Sequence, residues 1–234
     1  MFGKWHKLRS LKNKLLLVLS VKLKKLLAGR MLGNPASIAL ETVGNCNLNC
    51  PGCPVPTQAF KESRVKKFMA LDELNYIHNF IGDYCDTYIL SLWGESLIHK
   101  EFPEVLEIFS DKRVIISTNL SVPERQVKAL IAWVERGGQL QELIVSMDGW
   151  DKDSYETYYR HGGKFDLVSS NLRLLVDSQV NTKVSLQFLD NGSILGFREK
   201  SEAFSEQLGL RFSYSKMDQN FDRFKRDVSP DNKC

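Results

Sequence analysis

Long apolar runs, histidine and evenly spaced cysteine are all scarce in this 234-residue chain. The block at residues 15–19 falls far short of the ~20 apolar residues a bilayer-spanning helix needs. Histidine occurs four times and cysteine five times, and three of the cysteines fall within eight residues, at 46, 50 and 53. A secreted disulfide framework spaces and pairs its cysteines more evenly. With 43% hydrophobic residues the chain can build a core without such staples. Clustered thiols in a cysteine-poor sequence indicate metal or redox chemistry in a reducing compartment, and a cytoplasmic location is expected.

Acid is missing from the first 40 positions, which hold nine Lys or Arg, whereas the remainder carries 23 basic and 28 acidic residues. A basic arm therefore precedes a mildly acidic body, and no nucleic-acid partner is expected. The arm resembles a signal peptide in placing lysines before a leucine block. It lacks a small-x-small cleavage site, however, and lysines resume at 22, 24 and 25. Residues 4–32 read as a basic amphipathic helix ended by Gly33-Asn34-Pro35. Such a helix can pack on the body with a solvated lysine face, or contact anionic lipid or an acidic partner. The expected division is an arm at 1–34, one α/β domain at 35–216 and a polar tail at 217–234.

Beyond Pro35 the pattern alternates. Short β-type runs are predicted at 38–42, 87–92, 114–118, 143–147, 183–188 and 211–215. Helical patterns lie between them at 71–81, 102–111, 124–136, 154–177 and 198–208. Alternation with near-continuous apolar strands predicts a parallel sheet covered by helices. Six units are too few for an eight-fold barrel and predict an open, partial (β/α)6 barrel. Ligands of such sheets bind at the C-terminal ends of the strands, where the polar oddities of this sequence fall.

The loop after the first predicted strand reads Gly44-Asn-Cys-Asn-Leu-Asn-Cys-Pro-Gly-Cys-Pro54. Three thiolates at this spacing can bind three irons of a cubane and leave the fourth without a protein ligand. That open iron can chelate the amino and carboxylate groups of an amino acid. Structural zinc is the alternative, but zinc sites close with four ligands, and the next thiol is Cys85, near the second strand. Disulfide exchange through Cys50 and Cys53 would leave Cys46 without a role. Cys85 has no partner at useful spacing and reads as a buried small side chain.

The cysteine pattern resembles the signature of the radical S-adenosylmethionine superfamily, and four further stretches follow in the expected order at strand ends. Leu92-Trp-Gly-Glu-Ser96 resembles Gly-Gly-Glu-Pro, Ser117-Thr-Asn-Leu120 resembles Thr-Asn-Gly, and Ser146-Met-Asp-Gly149 resembles Ser-Leu-Asp-Gly. Tyr159-Arg-His-Gly-Gly163 resembles Tyr-Arg-x-Gly-Gly. The resemblance implies Cys46, Cys50 and Cys53 as ligands of a 4Fe–4S cluster. It places Gly94 and Glu95 beside the methionine amino group of S-adenosylmethionine, and Asn119 near its ribose. Ser146 and Arg160 become candidates for the methionine carboxylate. Ser146 could equally be a turn residue and Arg160 half of a surface ion pair. Asp148 could serve only the turn, and Gln187 could face the substrate or be satisfied by backbone.

The implied reaction is reductive cleavage of S-adenosylmethionine to methionine and a 5′-deoxyadenosyl radical, which abstracts hydrogen from a substrate. A reductant such as flavodoxin or ferredoxin is implied as a partner. The wording of the motifs is similar to members carrying a C-terminal SPASM or twitch domain, which begins with a cysteine near the place of Cys234. This implies a peptide or protein substrate and a chain cut short, with a small-molecule oxidase, epimerase or biosynthetic enzyme as the alternative. A different class is a non-catalytic iron–sulfur or zinc protein that binds a partner through its arm. Three departures from the family pattern stand out: Ser96 for proline, Leu120 for glycine, and Gly52 where many members carry an aromatic near adenine.

Overall fold

The computed structural model describes residues 37–64 and 67–217; the basic arm at 4–32 and Cys234 lie outside them. Six parallel strands form one sheet in sequence order: β1 (Ile38–Ala39), β2 (Thr87–Ile89), β3 (Arg113–Thr118), β4 (Leu140–Ser146), β5 (Val184–Asp190) and β6 (Arg211–Lys216). Helices α1 (Gln58–Ser63), α2 (Leu71–Ile81), α3 (Phe102–Ile108), α4 (Glu124–Glu135), α5 (Phe165–Val176) and α6 (Phe197–Gln207) fill the crossovers. This is the expected α/β partial barrel, with β1 and β6 as its edges. None of the described helices is long and apolar enough to cross a membrane.

Strand alternation divides the sheet into two faces. Val114 and Ile116 of β3, Leu143 and Val145 of β4, and Leu186 and Phe188 of β5 are fully buried. The alternate residues Ser117, Ser146, Gln187 and Leu189 line an inner cavity. Phe188 meets Phe197 of α6 at 6.3 Å between ring centroids. Leu130 and Trp133 of α4 and Leu172 and Leu175 of α5 complete the outer core. Burying such side chains contributes roughly 1.5–3 kcal/mol each, so the helices are held by the sheet more than by their own propensity. Glu73 accepts from the Ala70 N–H (3.0 Å) and so caps the start of α2.

Two elements differ from expectation. The helical pattern at 154–177 is not one helix: a π-helical turn at Ser154–Tyr159 is separated from α5 by residues 160–164. Gly162 there takes φ +86°, a conformation costly for other residues. Helix α1 has no apolar period to announce it. It is one and a half turns long, buries none of its residues, and starts at Thr57, whose hydroxyl accepts from Phe60 N–H at 3.2 Å. Strands β1 and β2 are shorter than predicted, although Leu40 N–H still donates to Ile89 O and Leu90 N–H to Ile115 O.

Candidate active site

The loop that follows β1 crosses the C-terminal ends of the strands and is fastened there by backbone. Glu95 N–H donates to Asn45 O (2.9 Å), Asn49 N–H to His161 O (2.8 Å) and Gly44 N–H to Lys67 O (2.9 Å). Gly94 makes the first contact possible, because a Cβ at that position would lie 1.8 Å from Val43 O and 2.8 Å from Asn45 O. Cys46, Cys50 and Cys53 then open onto one cavity of about 390 Å³. Among the described residues no three His, Cys, Asp or Glu side chains converge on the position of a single metal ion. Three cysteine thiols opening onto a cavity of this size are a donor set that fits an iron–sulfur core.

Each site residue expected from sequence lines this cavity, several with a sharper role. Glu95 is fully engaged. Its Oε1 accepts from Thr118 Oγ1 (2.8 Å) and Leu97 N–H (3.0 Å), and its Oε2 from Asn119 N–H (2.7 Å). Its carboxylate therefore ties the end of β2 to the end of β3. Burial raises its pKa, and the three donors only partly offset that. Asn119 directs its amide to Asn47 Oδ1 (3.0 Å) and Cys46 Sγ (3.6 Å), and Asn47 donates to Ser121 O (2.7 Å). Asn119 thus supports the cysteine loop as well as the cavity wall.

Arg160 is not the surface residue its bland reading would make it. Its guanidinium forms an ion pair with Asp148 Oδ2 at 2.5 Å and donates to Cys50 Sγ at 3.7 Å. The pair is inside: side-chain exposure is 14% for Arg160 and 1% for Asp148. Burial opposes the charge on Arg160, but Asp148 and Cys50 hold it firmly protonated. Asp148 also accepts from Leu189 N–H (2.6 Å) and takes φ +50°, so it serves turn and ion pair together. Arg160 Nε is buried without a hydrogen-bond partner. Ser146 Oγ lies 3.4 Å from Ser117 Oγ, and Gln187 opens onto the cavity. Cys85 is buried away from it, as its isolated position implied.

Two of the three sequence departures, Leu120 and Ser96, are accommodated by local contacts. Leu120 adopts φ +57°, the left-handed region that glycine would occupy freely. The strain of roughly 1–2 kcal/mol is offset by complete burial of its side chain. Thr118 Oγ1 accepts its N–H (2.9 Å), and Asn171 of α5 donates to Leu120 O (3.0 Å) and Val122 O (2.9 Å). Ser96 turns its hydroxyl back onto Leu90 O.

The thiols themselves are poor acids in the iron-free protein. Burial pushes Cys46 up to about 11, and Cys50 and Cys53 are raised by the same cause. Raised values keep the protonated form below them, so metal loading must displace protons. Iodoacetamide labelling of Cys46 in iron-free protein should be slow at about pH 8 and climb steeply between about pH 9 and 11, read by peptide mass spectrometry. Labelling already complete at about pH 8 would contradict the buried setting.

The Radical SAM superfamily profile matches residues 40–190, the stretch that holds the cysteine loop and strands β2 to β4, with β5 at its end. The chain belongs to the Radical SAM superfamily. Members use a 4Fe–4S cluster and S-adenosylmethionine. No curated protein sequence matches the chain significantly. Among solved structures, TYW1 with a lysine-pyruvate adduct bound is 16% identical, with a TM-score of 0.52, over 79% of this chain and 65% of that one. BtrN in complex with AdoMet and 2-DOIA is 19% identical (TM-score 0.45), covering 64% of this chain and 55% of that one. Archaeal TYW1 is 14% identical (TM-score 0.46), covering 78% and 66%. The radical SAM chain described here thus spans under two thirds of those chains' lengths, 55% at the least.

Proposed function

We propose that Cys46, Cys50 and Cys53 hold the 4Fe–4S cluster and that the enzyme abstracts hydrogen from a peptide or protein side chain. The observation that carries the reading is the cavity itself: three thiols, the strand-end residues and Arg160 border one space. When bound, the reduced cluster would supply one electron to the sulfonium of S-adenosylmethionine, whose bond to the 5′ carbon would break to give methionine and a carbon radical able to take hydrogen from an unactivated C–H bond. The chain's residues then bind and shield. Asn119 and Arg160 donate to the Cys46 and Cys50 sulfurs, which favours the thiolate form. The unpartnered Nε of Arg160 is a donor suited to the methionine carboxylate. Gly94 and the Glu95 backbone border the place of the amino group, and Ser146 and Asn119 offer neutral hydrogen bonds to the rest of the cofactor.

A cytoplasmic location, a flavodoxin or ferredoxin reductant, and contact of residues 4–32 with a membrane or acidic partner remain part of this proposal.

The test is anaerobic cluster reconstitution, reduction with dithionite and assay of 5′-deoxyadenosine formed from S-adenosylmethionine. Wild type is expected to form it, and Cys50→Ala to lose at least about a hundredfold of the rate together with its iron. Product formation by Cys50→Ala at the wild-type rate would refute the ligand assignment.

A further inference from the structure

The charges that border the cavity are all committed, and its remaining hydrogen-bonding groups are neutral. Glu95 accepts three hydrogen bonds from Thr118, Leu97 and Asn119. Asp148 is held by Leu189 N–H and Arg160. Arg160 is occupied by Asp148 and Cys50, and its unpartnered Nε goes to the cofactor carboxylate in the reading above. Among the described residues that line the cavity, no cation or carboxylate is therefore left to meet a charged substrate group, whose burial without a partner is strongly disfavoured.

Neutral capacity is plentiful by contrast. Ser91, Ser117, Ser146, Gln187 and Ser215 reach the cavity from the ends of β2 to β6. Among the described residues the Gln187 amide and the Ser215 hydroxyl have no hydrogen-bond partner. On the β2 side stands an apolar lip: Leu92 is 61% exposed and Trp93 39%, although both border the cavity. The backbone N–H of Trp93 donates to Glu41 Oε1 (3.3 Å), fixing the main chain there, and Glu41 is in turn paired with Arg64 at 2.5 Å. A large indole kept this exposed beside a polar floor is a platform for a ligand.

We infer that the substrate group admitted to this site is uncharged, an amide- or hydroxyl-bearing group that hydrogen-bonds Gln187 and lays an apolar face on Trp93. This rests on the reading of the cavity as cofactor and substrate site, and it narrows the substrate to a neutral class. Trp93 is the specificity-determining residue and Gln187 a second contact. Among the described residues nothing is left to pair a phosphorylated or carboxylate-bearing reacting group, whereas a neutral residue within a polypeptide satisfies both surfaces.

The experiment is ligand-observed saturation-transfer NMR on the reconstituted, oxidised enzyme loaded with S-adenosylmethionine. The probes are N-acetyl-tyrosinamide as the neutral ligand, N-acetyl-aspartate as the anion and N-acetyl-lysinamide as the cation. The neutral probe is expected to bind at least about tenfold more tightly than either charged one. Trp93→Ala should weaken it about tenfold, Trp93→Phe should restore most of the loss, and Gln187→Ala should weaken it severalfold. Iron content and circular dichroism verify that each variant is folded and loaded. Equal or tighter binding of a charged probe by wild type, or unaltered affinity in both Trp93→Ala and Gln187→Ala, overturns the inference. Formation of 5′-deoxyadenosine by wild type reports separately on the proposed function. Wild type that cleaves S-adenosylmethionine yet shows no neutral preference sinks this inference and leaves that reading intact.

Discussion

Gly94→Ala is expected to destabilise the iron-free protein by about 3 kcal/mol or more and to remove most of its ability to take up iron. The added Cβ would fall 1.8 Å from Val43 O, 2.7 Å from Val43 C and 2.8 Å from Asn45 O. All three are backbone atoms, so no side-chain rotation relieves the contact. Overpacking that side chains can absorb costs typically 1–3 kcal/mol, and here the backbone itself must move. Movement would break the Glu95 N–H to Asn45 O bond that fixes the cysteine loop to the end of β2. Loop displacement separates Cys46 from Asn119, whose amide touches its sulfur. Urea denaturation and iron per chain after reconstitution measure the two effects. Wild-type values of both would show that the close approach at Gly94 is dispensable.

The position of this glycine was legible in the sequence as part of a strand-end motif, but its reason was not. Motif order placed Gly94, Glu95, Asn119, Ser146 and Arg160 on one face, because strand ends of a parallel sheet share a rim. What each side chain does there depends on partners far away in the chain. Glu95 reads from sequence as a cofactor contact, yet its oxygens are taken by Thr118 and Asn119, more than twenty residues on. Alternation of strands and helices gave the fold class because a two-residue period and a helical period are local properties. Helix α1 escaped because its six residues, with Ala59 and Phe60 side by side among polar ones, carry no apolar period. The break before α5 was hidden by an apolar pattern that continues on both sides of Gly162 and Gly163. Trp93 stood inside a quoted motif, but its exposure at the cavity edge is a property of the assembled sheet.

The Asp148–Arg160 pair has the other large expected effect, and pH separates its cause from simple loss of packing. Arg160→Met keeps most of the side-chain volume and removes the cation, leaving the Asp148 carboxyl 1% exposed with only Leu189 N–H as a donor. Breaking a buried pair from one side costs about 3–5 kcal/mol, because the remaining charge has no counterpart. Burial already raises the Asp148 pKa against the pull of Arg160, so removing the arginine raises it further. A carboxyl whose folded pKa exceeds its unfolded one stabilises the fold below the unfolded value and loses that contribution as pH rises through the folded value. The variant's deficit should therefore be small at about pH 4–5 and reach its full size by about pH 8. Adding Asp148→Asn to Arg160→Met removes the stranded charge and should recover a large part of the deficit at pH 8. Urea midpoints of the iron-free proteins across this range provide the test. A deficit that is the same at both ends of the range, and unaltered in the double variant, would assign the loss to packing and not to the ion pair.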